Sequence, residues 1–103
     1  MNPAKPTRDQ GENRFPGLRH AYLDLSDRGS IRLFQGDNKG GLADHDKALQ
    51  YDPGDSYSWN NRAHAKMRLG DKMGAIADFR KALEIDPSLR TAQEGLQELR
   101  AAR

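Results

Sequence analysis

Three consecutive residues of the chain, Asp44, His45 and Asp46, are of the types that bind metal ions or transfer protons. A metal ion needs ligands that converge on one point, whereas neighbouring residues of a helix point about 100° apart. The other two histidines, His20 and His64, do not supply the short ligand spacing of a zinc site. We therefore predict no metal site and no cofactor.

A glycine-rich stretch, GDNKGG at residues 36–41, is a second candidate for chemistry. A phosphate-binding loop follows a strand and carries Lys-Ser or Lys-Thr where the helix begins, and this stretch has neither feature. Serine, histidine and aspartate all occur in the chain, but no spacing places a nucleophile beside a base. We predict a turn at residues 36–41, no catalytic residue, and a protein that is not an enzyme.

The amino-acid composition further limits the class of protein and the kinds of site that the chain can have. The 103 residues include no cysteine, which excludes disulfides, thiolate metal sites and cysteine nucleophiles. The 17 basic and 15 acidic residues leave a formal net charge of only +2, which is weak support for nucleic-acid binding. No apolar run approaches the roughly 18 residues of a membrane span, and no apolar signal segment opens the chain. The sequence thus predicts a soluble, cytoplasmic protein.

Five stretches of the chain have apolar residues at intervals of three and four, which is typical of amphipathic helices. The first predicted helix begins near residue 18. The other four cover about residues 40–51, 56–69, 73–85 and 89–102. Residues 1–17 are rich in Pro, Gly, Asn and charge, so we predict a disordered tail there. No stretch alternates with a period of two, and we therefore predict an all-α protein.

An internal repeat organises these helices. Residues 36–53 and 70–87, which are 34 residues apart, share 10 identities in 18 positions. Each unit contains a helix, a Gly-Asp turn, a second helix and an Asp-Pro stop. Such a unit cannot bury its apolar face alone, whereas stacked units can.

This pattern resembles the tetratricopeptide repeat, whose 34-residue unit has a Trp, Leu, Gly and Tyr in its first helix, then Ala, Phe and a terminal Pro. The second unit supplies Trp59, Arg62, Ala63, Lys66, Ala75, Phe79 and Pro87, and the first supplies Leu25, Arg28, Gly29, Arg32, Gly41, His45 and Pro53. Arg32 and Lys66 replace an aromatic residue, and we expect their aliphatic stems to pack while the charge reaches water.

The resemblance implies antiparallel helix-turn-helix repeats stacked into a right-handed superhelix of five helices. On this interpretation residues 18–103 form one domain, with repeats over about 22–55 and 56–89 and a capping helix over about 89–102. We expect looser packing in the first repeat, because His45 stands where the second has an aromatic residue.

The resemblance also implies a function. The first helices of such repeats line a concave groove that holds a peptide segment or another protein, which makes the chain a non-catalytic adaptor. The predicted groove residues are Leu33, Phe34, Tyr57, Asn60, Asn61, His64, Met67 and Arg68. The groove is expected to be apolar at Leu33 and Phe34, polar at its centre, and acidic where helix five carries Glu94 and Glu98. A segment with an apolar anchor and some basic character would suit it.

One branch of the family binds the C-terminal carboxylate of chaperone tails with Lys and Asn on the first helix, Asn on the third, and Lys and Arg on the fifth. Asn61 matches this set. Ser26 and Ser30 occupy the first-helix positions, and Thr91 and Gly95 occupy the last. A carboxylate without cationic partners would be held poorly, which disfavours this ligand.

Two other functions remain open at this point. The first is self-association into a homodimer or larger assembly, because two repeats and a cap leave apolar surface at the first helix near Leu18, Tyr22 and Leu25. The second is nucleic-acid binding through basic residues of helices one and three. That set comprises Arg28, Arg32, Arg62, Lys66 and Arg68, but acidic residues are interspersed with it and few aromatic residues are placed to stack on bases.

Overall fold

The computed structural model describes the backbone of residues 16–101 and the side chains of residues 24–101, and that part of the chain contains helices and no strand. The helices are α1 (Pro16–Phe34), α2 (Asn38–Tyr51), α3 (Ser56–Arg68), α4 (Lys72–Ile85) and α5 (Arg90–Ala101). The all-α prediction and its five helices are therefore confirmed. Helix α1 begins at Pro16, so it contains the last two residues of the predicted tail, 16 and 17. Residues 1–15 of that predicted tail lie outside the described residues.

The turns inside the two repeats are built alike. Asp37 caps α2 by accepting a hydrogen bond from the backbone N–H of Gly40 at 2.9 Å, and Asp71 caps α4 in the same way. Gly36 and Gly70, which follow α1 and α3, have φ values of +88° and +89°. Residues with a side chain rarely adopt this left-handed backbone conformation, whereas glycine does so readily. In each Gly-Asp pair the glycine therefore ends one helix and the aspartate caps the next.

The Asp-Pro pairs close each repeat, as predicted. Helix α2 ends at Tyr51, immediately before Asp52 and Pro53, and α4 ends at Ile85 before the second pair. Proline cannot continue a helix and keeps the preceding residue extended. Asp55 then caps α3 by accepting a hydrogen bond from the backbone N–H of Tyr57 at 3.1 Å.

The helices pack in chain order, α1 on α2, α2 on α3, α3 on α4 and α4 on α5. Weaker contacts join α1 to α3 and α3 to α5, so the first helix of each repeat lies beside the first helix of the next. We call α1 and α2 the first repeat, and α3 and α4 the second repeat. This arrangement is an all-α helical repeat fold, and no helix in the described part is long and apolar enough to cross a membrane.

The main hydrophobic core lies in the second repeat and under α5. Phe79 is fully buried there against Gly95, where a Cβ atom would lie only 2.3 Å from the phenyl ring. The other buried members of this cluster are Ala63, Ala75, Ala82, Leu89, Ala92, Leu96 and Leu99. The indole of Trp59 packs against the cluster but is only partly buried, and its Nε1 donates to the carbonyl of Pro53 at 2.7 Å.

The first repeat has a fully buried His45 at the position of Phe79. A Cβ atom on Gly29 would lie 2.9 Å from its imidazole, so the missing side chain of Gly29 makes room for the ring. Neither ring nitrogen has a hydrogen-bond partner. Burial lowers the pKa of His45, which keeps the ring neutral at neutral pH.

Candidate functional site

A cleft of about 170 Å³ lies between α1 and α3. Its lining consists of Ser30, Leu33 and Phe34 from α1, together with Asn61, His64 and Arg68 from α3. Residues three, four and seven apart share one face of a helix, so each helix presents one continuous row to the cleft. The direct contact between α1 and α3 sets the two rows side by side. We call this set the α1–α3 cleft.

Five of the eight residues predicted to line a groove lie together in the α1–α3 cleft: Leu33, Phe34, Asn61, His64 and Arg68. Ser30 joins them from α1. The remaining three predicted residues, Tyr57, Asn60 and Met67, do not line it.

The three residues outside the cleft differ in their surroundings. Asn60 is only 5% exposed, and Met67 packs against the hydrophobic core of the second repeat. Tyr57 is 61% exposed in the first turn of α3. Each helical step rotates the side chain by about 100°, so Asn60 and Asn61 cannot point in the same direction.

Hydrogen bonds tie the two walls of the cleft together. Arg68 Nη1 on α3 donates to the backbone carbonyl of Leu33 on α1 at 3.1 Å. Asn61 Nδ2 donates to Ser30 Oγ at 3.2 Å. Ser30 in turn donates to the carbonyl of Ser26 at 3.0 Å, so its lone pairs are available to Asn61. The bonds made by Arg68 and Asn61 therefore join α3 to α1 along the cleft.

The cleft has an apolar end formed by Leu33 and Phe34. Leu33 is 8% exposed and packs close to Gly41 of α2, whereas Phe34 is 93% exposed. A phenyl ring presented to water beside a cleft is a large apolar surface that a ligand side chain would cover.

His64 lies in the centre of the cleft. Its ring meets Phe79 edge to face, with centroids 5.0 Å apart and planes at 84°. Burial lowers the pKa of His64, the nearby Arg68 guanidinium lowers it further, and Glu98 of α5 opposes both effects. The ring is therefore neutral near pH 7, where it offers one donor and one acceptor to a ligand backbone.

The positive and negative charges around the cleft lie on different sides of it. Arg68 lies on the side of α1, and no ion pair joins it to a carboxylate among the described residues. Glu94 and Glu98 are exposed on α5, and the effect of Glu98 on His64 places this acid within electrostatic range of the cleft centre. A ligand lying across α1, α3 and α5 would thus meet a positive and then a negative region.

Two duplicated ion pairs escaped the sequence reasoning. Arg28 donates through Nε and Nη2 to Asp44 at 2.9 and 2.8 Å, and Arg62 donates through the same atoms to Asp78 at 2.7 and 3.0 Å. The Arg28 guanidinium holds the pKa of Asp44 below its usual range. The repeated spacing of 16 residues between Arg and Asp, displaced by 34, was the signal that could have revealed these bidentate pairs.

The expectation that Arg32 and Lys66 extend their charges into water was wrong. Arg32 Nη1 lies 3.2 Å from Asp44, and Lys66 Nζ lies 3.1 Å from Asp78. Both carboxylates are almost completely buried, so they draw the basic groups inward. Asp44 and Asp46 serve as ion-pair partners, and the described residues contain no group of three or more His, Asp or Glu that could hold a metal ion.

Comparison with known proteins gives matches at the level of the repeat and of the fold. A sequence model of the tetratricopeptide repeat matches residues 56–89. The structure described as the first TPR of Spaghetti (RPAP3), bound to the HSP90 peptide SRMEEVD, superimposes with a TM-score of 0.74 at 25% identity over 79% of this chain. A structure described as showing molecular features of the UNC-45 chaperone critical for binding and folding muscle myosin gives a TM-score of 0.74 at 30% identity over 77% of this chain.

These matches cover only part of the similar proteins. The chain corresponds to 64% of the Spaghetti chain and to 9% of the UNC-45 chain. A search of curated protein sequences gave no match.

Proposed function

Because the chain is a tetratricopeptide-repeat protein, and proteins with this repeat take part in protein–protein interactions, we propose that it binds a short segment of a partner protein in the α1–α3 cleft. The observation that carries the proposal is the combination of the exposed Phe34 with the polar groups of Asn61 and His64 in one cleft. An apolar anchor point beside a few convergent polar groups is the usual composition of a binding site.

The cleft also suggests what the segment carries. An apolar side chain of the ligand would pack against Phe34 and Leu33, while its backbone would exchange hydrogen bonds with His64 and Asn61. An acidic group would be favoured beside Arg68, and a basic group would be favoured toward Glu98. We propose an extended segment of this mixed character as the ligand.

The peptide in the Spaghetti structure is a precedent for peptide binding by this fold, but this chain differs where the carboxylate-binding branch of the family has its cations. Ser26, Ser30, Thr91 and Gly95 stand at those positions. Without cations there, the terminal carboxylate of a peptide such as SRMEEVD would lose its charged partners. We therefore propose a ligand that is anchored through its interior side chains.

The proposed role is non-catalytic. It is favoured over nucleic-acid binding because most of the basic residues considered for that function are in ion pairs with aspartates. The basic groups of Arg28, Arg32, Arg62 and Lys66 lie within 2.7–3.2 Å of carboxylate oxygens of Asp44, Asp46 or Asp78. Charges neutralised inside the repeat contribute little to binding phosphates.

The test uses a random heptapeptide library displayed on phage, selected against the full-length chain. Fluorescence anisotropy then measures the affinity of the enriched peptides for the wild type, for Phe34→Ala and for the matched control Met73→Ala. Met73 is 76% exposed and outside the cleft lining, so the control removes a comparable apolar side chain. Phe34→Ala should weaken binding about tenfold, equivalent to about 1.4 kcal/mol, while Met73→Ala changes it less than about twofold.

Two results would contradict the proposal. One is that no peptide is enriched above a library control. The other is that the enriched peptides bind Phe34→Ala as tightly as the wild type, with circular dichroism showing both proteins folded. The HSP90 peptide SRMEEVD serves as a further probe, and we expect it to bind at least about tenfold more weakly than the selected peptides.

A further inference from the structure

Helix α3 has a second face, turned toward the preceding repeat, that α2 covers. Arg62 Nη1 on this face donates to Asp46 of α2 at 2.9 Å. Ser58 and Ala65 lie one turn before and after Arg62 on the same side, and both have 0% exposure. The Arg62 side chain itself is 18% exposed. This face is therefore a closed contact between one repeat and the next.

The same face of α1 is open. The residues 34 positions earlier are Asp24, Arg28 and Ile31, and all three are exposed. The Arg28 side chain is 55% exposed and Ile31 is 55% exposed. Isoleucine at the position of the buried Ala65 gives this face an apolar residue that water contacts. We call Asp24, Arg28 and Ile31 the outer face of α1.

The hydrogen bonds of the two arginines differ by one donor. Arg62 uses Nε and Nη2 for Asp78 and Nη1 for Asp46. Arg28 uses Nε and Nη2 for Asp44, and its Nη1 has no hydrogen-bond partner among the described residues. The contact between α2 and α3 therefore shows what the outer face of α1 would accept, namely a helix that brings a carboxylate to Arg28 Nη1.

The outer face of α1 carries such a carboxylate itself. Asp24 lies four residues before Arg28, so the two opposite charges occupy the same side of α1. If two copies of α1 pack antiparallel around a two-fold axis near Ser26, each Arg28 lies opposite the partner's Asp24. A surface with this arrangement is complementary to itself, which a two-fold contact between identical chains requires.

We propose that the outer face of α1 is a dimer interface that binds the same face of a second copy of this chain. In it, Arg28 Nη1 donates to the partner's Asp24, and Ile31 is removed from water. The contact uses neither the α1–α3 cleft nor its ligand. It also closes after two copies, because each chain contributes the same face.

The opposite end of the array offers no comparable surface. The exposed residues of α5 in the described part are polar or charged apart from the small Ala101 at its end, namely Arg90, Thr91, Gln93, Glu94, Gln97, Glu98 and Arg100. The apolar residues of α5, Ala92, Leu96 and Leu99, are buried against the second repeat. Head-to-tail stacking through α5 would cover little apolar area, which favours the two-fold contact through α1.

Sedimentation velocity on the full-length chain from about 5 to about 200 µM tests the proposal, since this range covers micromolar self-association. The wild type should show a concentration-dependent monomer–dimer equilibrium. Asp24→Lys should raise the dimer dissociation constant at least about tenfold, because each interface then contains two pairs of like charges. Ile31→Ala should also raise the dissociation constant, because it removes apolar area from the interface and introduces no charge beside Arg28.

Glu84→Lys is the matched control, because Glu84 is an acid on α4 whose side chain is 71% exposed, and it makes the same change of charge outside α1. It should change the dissociation constant by less than about twofold at moderate salt. Circular dichroism checks that every variant remains helical. A wild type that stays monomeric up to about 200 µM would overturn the proposal. A dimer that Asp24→Lys and Glu84→Lys weaken equally would also overturn it.

Discussion

The two repeats share their helix caps and their arginine–aspartate pairs, but they differ in the ring that is buried between the two helices. Asp37 and Asp71 cap their second helices, and each repeat contains a buried aspartate bound by an arginine 16 residues earlier. Between the helices, however, the second repeat buries Phe79 in an apolar cluster, whereas the first buries His45 with no partner for either ring nitrogen.

The difference shows which features each repeat needs in order to form. The caps and the arginine–aspartate pair are present in both repeats, and we infer that they help to set the register of the helix pair. The ring buried between the helices differs between the repeats, His45 in the first and Phe79 in the second. Gly29 supplies the space for His45. An unsatisfied buried polar group costs about 1–3 kcal/mol, so we infer that the first repeat is the less stable of the two.

The largest expected effect comes from removing the aromatic filling. Phe79→Ala should lower the free energy of unfolding by about 3–5 kcal/mol, because it leaves a cavity in the main core. His45→Ala should cost clearly less, since it also removes two unsatisfied nitrogens. Urea denaturation followed by circular dichroism measures both. Equal losses would mean that the two fillings contribute equally and that the comparison of the repeats fails.

The next largest effect should come from the buried aspartates. Asp78→Ala should destabilise the protein by about 2–3 kcal/mol, because it leaves Arg62 and Lys66 without their carboxylate in a largely buried place. Asp44→Ala should have a smaller effect, because the Arg28 side chain is 55% exposed and that of Arg62 only 18%. The same urea titration ranks the two variants. A larger loss for Asp44→Ala would show that burial of the arginine does not set the strength of the pair.

The dependence of stability on pH sharpens the contrast between His45 and Phe79. Burial lowers the pKa of His45 and of His64, so the unfolded chain binds more protons than the folded one as the pH falls. Stability should therefore be level above about pH 7.5 and decline once the pH falls below about 6.5, the usual pKa of a histidine in an unfolded chain.

The variant His45→Phe copies the second repeat into the first and should make this decline smaller, because it removes one of the two histidines whose pKa burial lowers. The groups that act electrostatically on His45 are Asp44, Asp46, Asp55 and Arg62, and the variant leaves them in place. Thermal melts at several pH values give the measurement. An unchanged pH profile would assign the decline to His64 or to the carboxylates.

The smallest effect should come from an ion pair that belongs to one repeat alone. Lys81 and Glu84 are 3.0 Å apart on α4, and their side chains are 43% and 71% exposed. Lys81→Ala should change stability by less than about 0.5 kcal/mol, because water screens the pair. A loss comparable to that of Asp78→Ala would contradict the idea that burial separates the duplicated pairs from the surface pairs.

Much of the fold was predictable because it depends on local signals. The 34-residue period, the Gly-Asp turns and the Asp-Pro stops act on residues close in sequence, and they placed all five helices. The arginine–aspartate pairs were missed because they join different helices, and their charges look like ordinary surface charge in a sequence. Membership of the cleft could be predicted only in part, since a single helical step separates Asn61 in the cleft from the buried Asn60.

The most direct test of the central claim is an NMR titration of the ¹⁵N-labelled chain with the tightest peptide from the heptapeptide selection. The account predicts that the largest amide shifts occur at Ser30, Phe34, Asn61, His64 and Arg68, with intermolecular contacts between the peptide and the Phe34 ring. Shifts centred instead on α2 and α4, with the cleft amides unmoved, would contradict it and would place peptide recognition outside the α1–α3 cleft.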